Sequence, residues 1–535
     1  MAPTLRRLRV AGRGPRRATG GDGSIAMLLP TTPAYLRLQG ARRGAAGGLV
    51  FRDQARPFGA LATAADELAA WLAARGVGAG QRIGLMAGNT PALVVASYAV
   101  WGLGAATVPI ATRATAGDTA QILAHARATA LLCDAPRIDV ARAAAADAGV
   151  PLFAVEADLP LRPRQARRGL SRVATPRAPR PGDLAVLAYT SGTTGAPKGV
   201  MLPHGNLLWA ALACGTARGD TAASVGASLS PLTHTPVFVS HLLCRIVAGA
   251  TTVLLEKFDL ATLFAAAARH GITDLPLIGG MTFDVVAGGA VPEAARRTVR
   301  KVSVGGAPTP MATKQALAGL FDGAEIIEAY GQTESTDGVC MARGASVFER
   351  PGTVGCPNPH VVVAIRRPDG RLAEVDEEGE IVVGGPTVMA GYYRDRAASE
   401  AAVRDGWLHT GDRGRQDGDG YVVITGRVKD LIITGGENVS PVEVEAVLRQ
   451  HPDVDDVAVI GTPHPKWGEQ VTAIVVTRAG AHPDAAALVA FAAARLAGFK
   501  KPRRVEFIDA LPRNATNKVM TGVLRERFNP SPEIA

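Results

Sequence analysis

The chain contains 535 residues, of which 47% are hydrophobic and 20% are charged, with 58 Lys and Arg against 48 Asp and Glu. This composition excludes a disordered chain, a collagen and a disulfide scaffold, and the length predicts about three to four folding units. The five cysteines form no C-x-x-C pair, so they indicate neither a zinc site nor a disulfide framework. A reducing, cytoplasmic compartment is therefore expected.

The formal net charge of +10 is concentrated in two arginine-rich stretches. Residues 1–20 hold six Arg and residues 161–180 hold seven, without any Asp or Glu. Because these thirteen charges exceed the whole surplus, the rest of the chain is slightly acidic. We therefore expect a flexible basic tail over residues 1–24 and no specific nucleic-acid site. Peripheral contact with a membrane or another anionic surface is the alternative.

Helix-period and strand-like segments alternate from about residue 49. Apolar residues at helical spacing predict a helix over 61–72, and a short strand is expected over 82–87. A second helix should begin at Asn89-Thr90-Pro91, where a capping residue precedes a proline in the first turn. The uncharged run 93–112 is predicted to be this buried helix followed by a buried strand, not a membrane span. The alternation predicts an α/β domain with helices covering a mostly parallel sheet.

Clustered turn formers between residues 411 and 430 interrupt this alternation and indicate a domain boundary. Beyond them, Ser440 and Glu443 have the spacing of a helix-capping box. The elements expected after that box form a small α+β domain and lie near residues 456–460, 471–477, 484–496 and 504–508. We expect three parts, namely the basic tail over 1–24, a large N-terminal domain over 25–428 and a C-terminal lid domain over 429–535.

The segment 189–199, with the sequence YTSGTTGAPKG, has the composition of a phosphate-binding loop. Its small residues let backbone N–H groups approach a polyanion, its hydroxyl groups can donate to phosphate oxygens, and Lys198 supplies a positive charge. It is not a Walker A loop, because its glycines are too close together and Gly199 follows Lys198. The alternative is a surface turn rich in Gly and Thr.

Six further motifs follow this loop along the chain. They are GGAP at 305–308, YGQTE at 330–334, TGD at 410–412, GRVKD at 426–430, GGEN at 435–438 and LPRNATNK at 511–518. With the loop, they make the chain resemble the adenylate-forming superfamily, which contains acyl-CoA synthetases, amino-acid adenylation domains and luciferases. One motif alone is only suggestive, whereas the ordered set is highly specific. The resemblance extends from about residue 49 to 526, and it implies a large AMP-binding domain followed by a small mobile domain.

The resemblance implies which residues bind ATP. The candidates are Thr190, Ser191, Gly192, Thr193, Thr194, Gly195, Lys198, Gly306, Ala307, Pro308, Tyr330, Asp412 and Arg427. Tyr330 would stack on the adenine ring, while Asp412 would accept both ribose hydroxyls and Arg427 would donate to the same sugar. A core aromatic and an ordinary turn carboxylate are the structural alternatives for Tyr330 and Asp412.

The same resemblance assigns the reacting groups. Glu334 would hold Mg²⁺ against the phosphates with Thr333 and Thr194 nearby, in keeping with the preference of magnesium for a carboxylate plus phosphate oxygens. Lys518 would be the catalytic lysine, which contacts the substrate carboxylate and the phosphate where negative charge accumulates. Lysine is scarce here, nine of 58 basic residues, which favours a specific role over a solvated lysine. Asn517 replaces the family's usual glycine, and because Asn also adopts positive φ, we expect the loop geometry to be kept.

Domain movement is implied by Lys429, which matches the family's hinge position. Lys518 must enter the cleft for adenylation and leave it for thioester formation, so one cleft would serve both half-reactions. Gly435 and Gly436 would let the backbone pass close to the pantetheine arm of coenzyme A. A solvated loop lysine is the alternative for Lys429.

His234 lies in a segment that corresponds to the family's acyl pocket, near the reacting carboxylate, with a structural histidine as the alternative. Relatives that activate amino acids carry an Asp shortly after this point, whereas residues 235–240 contain no acid. We therefore expect a substrate without an α-amino group. Further residues that could line the pocket or belong to the core are Phe238, Met281, Phe283 and Gly306.

We predict an ATP-dependent carboxylic acid–CoA ligase that uses ATP, Mg²⁺ and coenzyme A, with fatty acids as the leading substrate class and aryl acids second. Loading of the acyl group onto a carrier protein is the alternative among enzymes. Free coenzyme A is favoured by the basic run at Lys500, Lys501, Arg503 and Arg504. From another class, the chain could bind anionic polymers or membrane surfaces on a retired enzyme fold. A monomer and a homodimer are both open.

Overall fold

The computed structural model describes residues 31–155, 178–190, 198–306, 309–434, 437–513 and 519–528, apart from the side chains of Lys429 and Asn438. The predicted basic tail and most of the arginine-rich stretch lie outside the described residues.

Helices and strands alternate through the first part of the chain, as the sequence predicts. These elements are α1 (Thr32–Arg43), β1 (Gly48–Phe51), β2 (Gln54–Pro57), α2 (Phe58–Ala73), β3 (Arg82–Met86), α3 (Pro91–Gly102), β4 (Ala106–Pro109), α4 (Ala116–Ala126), β5 (Ala130–Asp134), α5 (Ile138–Asp147), β6 (Leu152–Val155), β7 (Leu184–Thr190) and β8 (Lys198–Pro203). A six-stranded sheet has the order β6-β5-β3-β4-β7-β8 and is parallel except for its last pair. The uncharged run 93–112 lies mainly in α3 and β4, both of them buried.

A second, larger sheet is built mainly from the middle of the chain. Its strands and their covering helices are α6 (His204–Arg218), β9 (Val225–Ser228), α7 (Thr235–Val237), α8 (Cys244–Ala248), β10 (Thr251–Leu254), α9 (Leu260–His270), β11 (Asp274–Ile278), α10 (Met281–Gly288), α11 (Glu293–Thr298), β12 (Lys301–Gly305), α12 (Met311–Leu320), β13 (Glu325–Gly331), β14 (Gly338–Arg343), α13 (Ala345–Glu349), β15 (Thr353–Pro357), β16 (Val362–Arg366), β17 (Gly379–Gly384), α14 (Arg396–Ala402), β18 (Val403–Arg404), β19 (Trp407–Gln416) and β20 (Val422–Arg427). A π-helical segment, Phe238–Leu243, joins α7 to α8.

The large sheet has one parallel and one antiparallel half. Its order is β16-β17-β19-β20-β15-β14-β13-β12-β11-β9-β10-β1-β2, with β18 beside β19. The strands from β13 to β1 along this order pair in parallel, and helices connect most of them, as predicted. The sequence analysis did not predict the antiparallel half. Residues 417–420 connect β19 to β20 inside this sheet, so a hairpin accounts for that cluster of turn formers.

The C-terminal elements agree with the predicted small α+β unit. They are β21 (Ile432–Thr434), β22 (Glu437–Val439), α15 (Pro441–Leu448), β23 (Val454–His464), β24 (Gly468–Thr477), α16 (Ala485–Ala493), β25 (Arg504–Phe507) and α17 (Thr521–Phe528). The strands form a separate sheet of order β22-β21-β24-β23, with β25 parallel to β24. Apolar side chains of this sheet, α15 and α16 form their own core cluster.

The predicted capping box at the start of α15 is wrong. The Ser440 hydroxyl makes no capping hydrogen bond and donates instead to the Thr425 carbonyl oxygen. Glu443 pairs with Lys500 at 2.8 Å. Gly426 permits the Ser440 contact, because a Cβ at this position would lie 2.9 Å from Ser440 Oγ.

None of the helices in the described part of the chain is long and apolar enough to cross a membrane.

Candidate active site

Two neighbouring strands place Asp412 opposite Arg427. The residues are direct partners in the antiparallel pair β19–β20, and Arg427 Nε lies 2.9 Å from Asp412 Oδ1. The side chain of Asp412 is 8% exposed, whereas that of Arg427 is 43% exposed. The two residues predicted to bind ribose are therefore in direct contact, with the carboxylate buried and the guanidinium open to solvent.

The end of β13 brings Tyr330 to the same carboxylate. Its hydroxyl donates to Asp412 Oδ2 at 2.7 Å. Burial, and then the nearby Asp412, raise the pKa of Tyr330, so the phenol stays protonated and remains a donor. Two donors thus orient the Asp412 carboxylate, and it retains lone pairs for further hydroxyl donors.

Gly306 lies at the same edge of the sheet as Tyr330. It follows β12, and Gly305 at the end of that strand is the parallel register partner of Ala329. Gly306 has φ 78°, and a Cβ there would lie 3.1 Å from Ile278 Cγ2. Only glycine adopts this conformation readily, so the turn after β12 depends on it.

Glu334 lies in a single turn of 3₁₀-helix, Thr333–Ser335, shortly after β13. The Tyr392 hydroxyl donates to Glu334 Oε1 at 3.0 Å, and the Met389 backbone N–H donates to the Glu334 carbonyl oxygen at 2.9 Å. Lys198 Nζ lies 5.1 Å from the centroid of the Tyr392 ring, within range of a cation–π contact. Tyr392 therefore links two predicted phosphate-site residues, Lys198 and Glu334.

Sequence analysis missed Tyr392. A compositional signal exists, because the chain has only seven Tyr and two of them are adjacent, Tyr392 and Tyr393. The backbone fixes this segment against β8. Tyr393 N–H donates to the Gly199 carbonyl oxygen at 2.7 Å, and Met201 N–H donates to that of Gly391 at 3.0 Å.

The ends of the predicted phosphate-binding loop are held by the β7–β8 pair, in which Thr190 and Lys198 are direct partners. Several other predicted site residues lie outside the described residues, and their roles stay predictions. These are Ser191, Gly192, Thr193, Thr194, Gly195, Ala307, Pro308, Gly435, Gly436 and Lys518.

The predicted hinge residue Lys429 lies in a 3₁₀ turn, Val428–Asp430, between β20 and β21. Arg525 of α17 pairs with Asp430 at 2.9 Å, directly after the hinge position. The contact of Ser440 with Thr425 joins residues on opposite sides of Lys429.

A magnesium ion fits the surroundings of Glu334. Within the described ranges, no group of three or more His, Cys, Asp or Glu side chains is arranged to enclose a metal ion. Mg²⁺ does not require such a cage, because it is commonly bound by one or two carboxylates, substrate phosphates and water. Among the described side chains, only Tyr392 donates a hydrogen bond to Glu334 Oε1, and Thr333 is buried in the same turn.

His234 lies at the start of α7, as its N-cap residue. Its side chain is exposed to solvent, yet desolvation by the surrounding protein lowers its pKa, so the imidazole is neutral at pH 7. Asn89 holds the preceding segment by donating to the Ser230 carbonyl oxygen and accepting from Leu232 N–H, each at 2.9 Å. The N-cap of α3 is Thr90, directly before Pro91 as expected, although its side chain makes no capping hydrogen bond.

The remaining pocket candidates fall in different environments. Phe238 is buried and packs edge-on against Trp101, with ring centroids 5.6 Å apart, so it is a core residue. Phe283 is 52% exposed. Met281 is half-buried, with its sulfur 3.7 Å from Ser230 Oγ.

The chain turns sharply after Glu334. Thr336 has φ 69° and ψ −32°, a conformation that β-branched residues rarely adopt and that costs about 1–3 kcal/mol. Its buried hydroxyl donates to the Thr387 carbonyl oxygen at 2.6 Å. The surrounding structure therefore fixes this turn, which carries Glu334 before it and the buried Asp337 after it.

Comparison with protein-family models agrees with this arrangement. The model described as AMP-binding enzyme matches residues 36–393, and the model described as AMP-binding enzyme C-terminal domain matches residues 443–518. The chain belongs to the AMP-binding enzyme family. The predicted resemblance to the adenylate-forming superfamily is thereby confirmed.

Individual relatives indicate which reaction the chain catalyses within this family. A feruloyl-CoA synthase of Amycolatopsis sp. is 35% identical over 470 residues, covering 86% of this chain and 91% of the relative. A long-chain-fatty-acid–CoA ligase of Mycobacterium tuberculosis is 33% identical over 483 residues, covering 87% and 92%. The structure of o-succinylbenzoate CoA synthetase from Bacillus subtilis, bound to its acyl-adenylate intermediate, matches with a TM-score of 0.82 at 29% identity, covering 93% of this chain and 99% of that one. The AMP-binding enzyme is thus an acid–CoA ligase, as predicted.

Proposed function

We propose that the chain activates a carboxylic acid with ATP and then transfers the acyl group to coenzyme A within one cleft. In the first step the substrate carboxylate attacks the α-phosphorus of ATP, and pyrophosphate leaves. In the second step the coenzyme A thiolate attacks the acyl carbon, and AMP leaves with the bonding electrons of the broken C–O bond.

The observation that carries this proposal is the convergence of Tyr330 and Arg427 on Asp412. A carboxylate oriented by two donors is prepared to accept the two hydroxyl groups of a ribose, because it keeps free lone pairs. Gly306 lies at the same edge of the sheet as Tyr330, and it is proposed to border the adenine ring on which Tyr330 would stack. Nucleotide binding therefore needs little rearrangement, which favours affinity.

The phosphates belong near Glu334, Tyr392 and Lys198. Lys198 offers a positive charge there, while Glu334 would hold Mg²⁺, which would neutralise charge on the phosphate oxygens. Lys518 is assigned to the α-phosphate and the substrate carboxylate, as the family resemblance implies. Its ammonium group would offset the negative charge that accumulates when two anions react.

His234 is assigned to the acid. A neutral imidazole can donate one hydrogen bond to the substrate carboxylate without adding a permanent positive charge that would hold the acid in its ground state. The carboxylate is thereby oriented for attack while it stays nucleophilic.

The C-terminal unit over 429–535 is proposed to act as the lid that carries Lys518. Rotation about Lys429 would withdraw this lysine and admit the pantetheine arm past Gly435 and Gly436. Part of the basic run that favours free coenzyme A is already paired, because Lys500 contacts Glu443 and Arg504 contacts Glu506 at 2.7 Å.

Aryl acids and fatty acids are the two substrate classes to be tested, since one relative is named for a feruloyl group and another for long-chain fatty acids. The decisive experiment is acid-dependent exchange of pyrophosphate into ATP across fatty, aryl and short acids, followed by AMP formation on addition of coenzyme A alone. We expect exchange with at least one acid and thioester formation without a carrier protein. Exchange with thioester formation only on carrier protein would contradict the assigned acceptor.

A further inference from the structure

The strand pairing next to Asp412 is irregular. In the antiparallel pair β17–β19, Glu380 lies opposite Arg413, and Val382 lies opposite His409. One residue of β17 therefore faces three residues of β19. These three are Thr410, Gly411 and Asp412. Such a bulge takes backbone groups out of the regular ladder of hydrogen bonds and redirects a side chain, and bulges are common next to active sites. The carboxylate proposed to bind ribose is thus carried by a bulge.

Two side chains pair the backbone of this bulge. Glu380 Oε1 accepts a hydrogen bond from the Gly411 N–H at 3.0 Å. The Thr410 hydroxyl donates to the Ile381 carbonyl oxygen at 2.6 Å and accepts from the Asp412 N–H at 3.1 Å. Backbone groups that are removed from water cost free energy when they are left unpaired. These side-chain bonds therefore replace the ladder bonds that the bulge removes.

Glu380 also holds the residue before the bulge. His409 Nδ1 lies 2.7 Å from Glu380 Oε2, and the two side chains are 12% and 22% exposed. Because a carboxylate can only accept, His409 carries its proton on Nδ1 in this contact. The two oxygens of Glu380 thus bind the residues on both sides of Thr410, one through a ring and the other through a backbone N–H. Two such bonds in separate directions fix the orientation of the carboxylate.

Gly411 makes the bulge depend on this clamp. It has φ 72°, a conformation that glycine adopts readily and other residues rarely do. Among the described residues other than its chain neighbours, no heavy atom lies within 4 Å of the position that a Cβ on Gly411 would take. Side-chain packing therefore does not hold this residue. A flexible residue keeps one conformation only when its backbone is bound, and the Gly411 N–H is bound by Glu380.

The conformation of the bulge sets the position of the Asp412 carboxylate. Asp412 follows Gly411 directly, accepts from the Tyr330 hydroxyl at 2.7 Å and contacts Arg427 at 2.9 Å. A shift of the bulge would move this carboxylate relative to both donors and to a bound ribose. A displacement of about 1 Å is enough to break hydrogen bonds of this length.

We propose that Glu380 is a positioning residue of the nucleotide site, which holds the bulge at residues 410–412 so that the Asp412 carboxylate meets the two hydroxyl groups of ribose. Glu380 acts through Asp412 and makes no contact with the nucleotide itself. The inference rests on the proposed function, because it takes ribose binding by Asp412 as given.

The test is a double-mutant cycle measured by AMP binding. Isothermal titration calorimetry gives the Kd of AMP for the full-length protein, for Glu380→Ala, for Asp412→Ala and for the double variant. This measurement needs neither the acid nor turnover. Glu378→Ala is the matched control, because this carboxylate pairs with Arg413 at 3.0 Å, outside the bulge. Thermal melting reports whether each variant is folded.

Glu380→Ala should raise the Kd of AMP by about 5- to 20-fold, because the Gly411 N–H loses its acceptor and the bulge relaxes. In the Asp412→Ala background the same change should alter the Kd by less than about twofold, since effects that pass through one shared residue are not additive. Glu380→Gln should stay within about threefold of the wild type, because an amide oxygen still accepts from the Gly411 N–H. Glu378→Ala should bind AMP as the wild type does.

Pyrophosphate exchange adds a readout that general damage to the fold would not reproduce. Glu380→Ala should raise the KM for ATP, while kcat and the KM for the acid change by less than about twofold. The reason is that the ground state and the transition state use the ribose contact equally. A fall in kcat as large as the rise in the KM for ATP would indicate a general structural role and overturn the inference.

Unchanged AMP binding in Glu380→Ala, or an equal loss with and without the Asp412 carboxylate, would also overturn the inference and leave the ligase activity standing. If Glu380→Ala fails to fold, Glu380→Asp takes its place in the cycle, because the shorter side chain cannot bind both donors. AMP binding that Asp412→Ala leaves unchanged would remove the ribose role and this inference with it. Absence of exchange with every acid of a broad panel would refute the proposed function, and the AMP-binding cycle would still decide the role of Glu380.

Discussion

The Tyr330 hydroxyl donates to Asp412 Oδ2 at 2.7 Å, so the residue expected beneath adenine also orients the carboxylate expected to bind ribose. The two residues lie 82 positions apart in sequence, on β13 and β19. Their contact, with Arg427 on the other oxygen, makes the proposed nucleotide site a preformed unit whose parts can be tested separately.

Asp412→Ala should raise the KM for ATP by about 10- to 100-fold, because hydrogen bonds to a charged group contribute roughly 1.5–3 kcal/mol. The measurement is pyrophosphate exchange at varied ATP and saturating acid. Tyr330→Phe is the control, since it keeps the ring and removes one donor, and we expect a smaller rise. An ATP dependence unchanged by Asp412→Ala would disprove the ribose role.

Glu334→Gln should raise the Mg²⁺ concentration needed for half-maximal exchange by at least about tenfold, because it removes the anionic ligand and keeps the size of the side chain. Tyr392→Phe removes only the hydroxyl that donates to Glu334 Oε1. That variant should shift the Mg²⁺ requirement by a few-fold at most. Equal shifts in both variants would mean that Glu334 acts through Tyr392 and not on the metal.

Lys518→Ala should slow adenylation by about 10²–10³-fold or more, the range lost on removing one group that stabilises a transition-state charge. Thioester formation from supplied acyl-adenylate should be largely retained, because the lysine is expected to leave the cleft for that step. Lys466→Ala, a lysine stacked on Trp467, is the control for nonspecific effects. Parallel loss of both half-reactions would contradict the two-orientation mechanism.

Ser440→Ala should alter the balance between the half-reactions. The Ser440 hydroxyl donates to the Thr425 carbonyl oxygen across the predicted hinge, so rotation about Lys429 would break this bond. Loss of a hydrogen bond that contributes about 1 kcal/mol should lower the population of the described lid orientation, relative to the rotated one, by roughly fivefold. Single-turnover rates should therefore move in opposite directions for adenylation and thioester formation. Identical changes in both would indicate a purely structural role.

Asp337→Asn should change how stability depends on pH. The pKa of Asp337 is about 7 in the folded chain, against 3.8 for an ordinary Asp, so the folded state keeps this proton longer than the unfolded state. The stability that this proton confers is complete below about pH 4 and is lost as the pH rises through 7, by up to about 1.4 kcal/mol per pH unit.

Asp337→Asn cannot titrate, so its Tm relative to the wild type should rise between about pH 4 and pH 7 and level off at higher pH. The quantity to compare is the Tm difference between the two proteins. Burial lowers the pKa of His204 to about 4 in both, so His204 makes each protein more stable as the pH rises and opposes the effect of Asp337. The difference removes this shared contribution. A Tm difference that stays constant with pH would show that Asp337 is ionised throughout.

Local sequence patterns predicted the elements whose signals are local. The helix over 61–72 appears as α2, which is buried along one face, and the strands at 82–87 and 471–477 appear as β3 and β24, which are continuous buried runs. Ser440 misled the analysis, because it has the composition of a helix cap but its hydroxyl is used in a contact with Thr425.

The residues of the candidate site also divide into those with a local sequence signal and those without one. Asp412, Arg427, Tyr330 and Glu334 were found because each lies in a recognisable motif. Tyr392 was missed because its importance depends on a contact with Glu334 that no local spacing encodes. The antiparallel half of the large sheet was missed because its strands are joined by turns that resemble linkers.

The strained turn at Thr336 has a consequence for turnover. The Thr336 hydroxyl is bound to the Thr387 carbonyl oxygen, and Met389 N–H, two residues further on, donates to the Glu334 carbonyl oxygen. One short segment therefore holds the proposed metal ligand from both sides. A wrongly placed metal ligand would then cost the enzyme turnover more than apparent affinity, because the acid and ATP could still bind while the phosphates were poorly aligned.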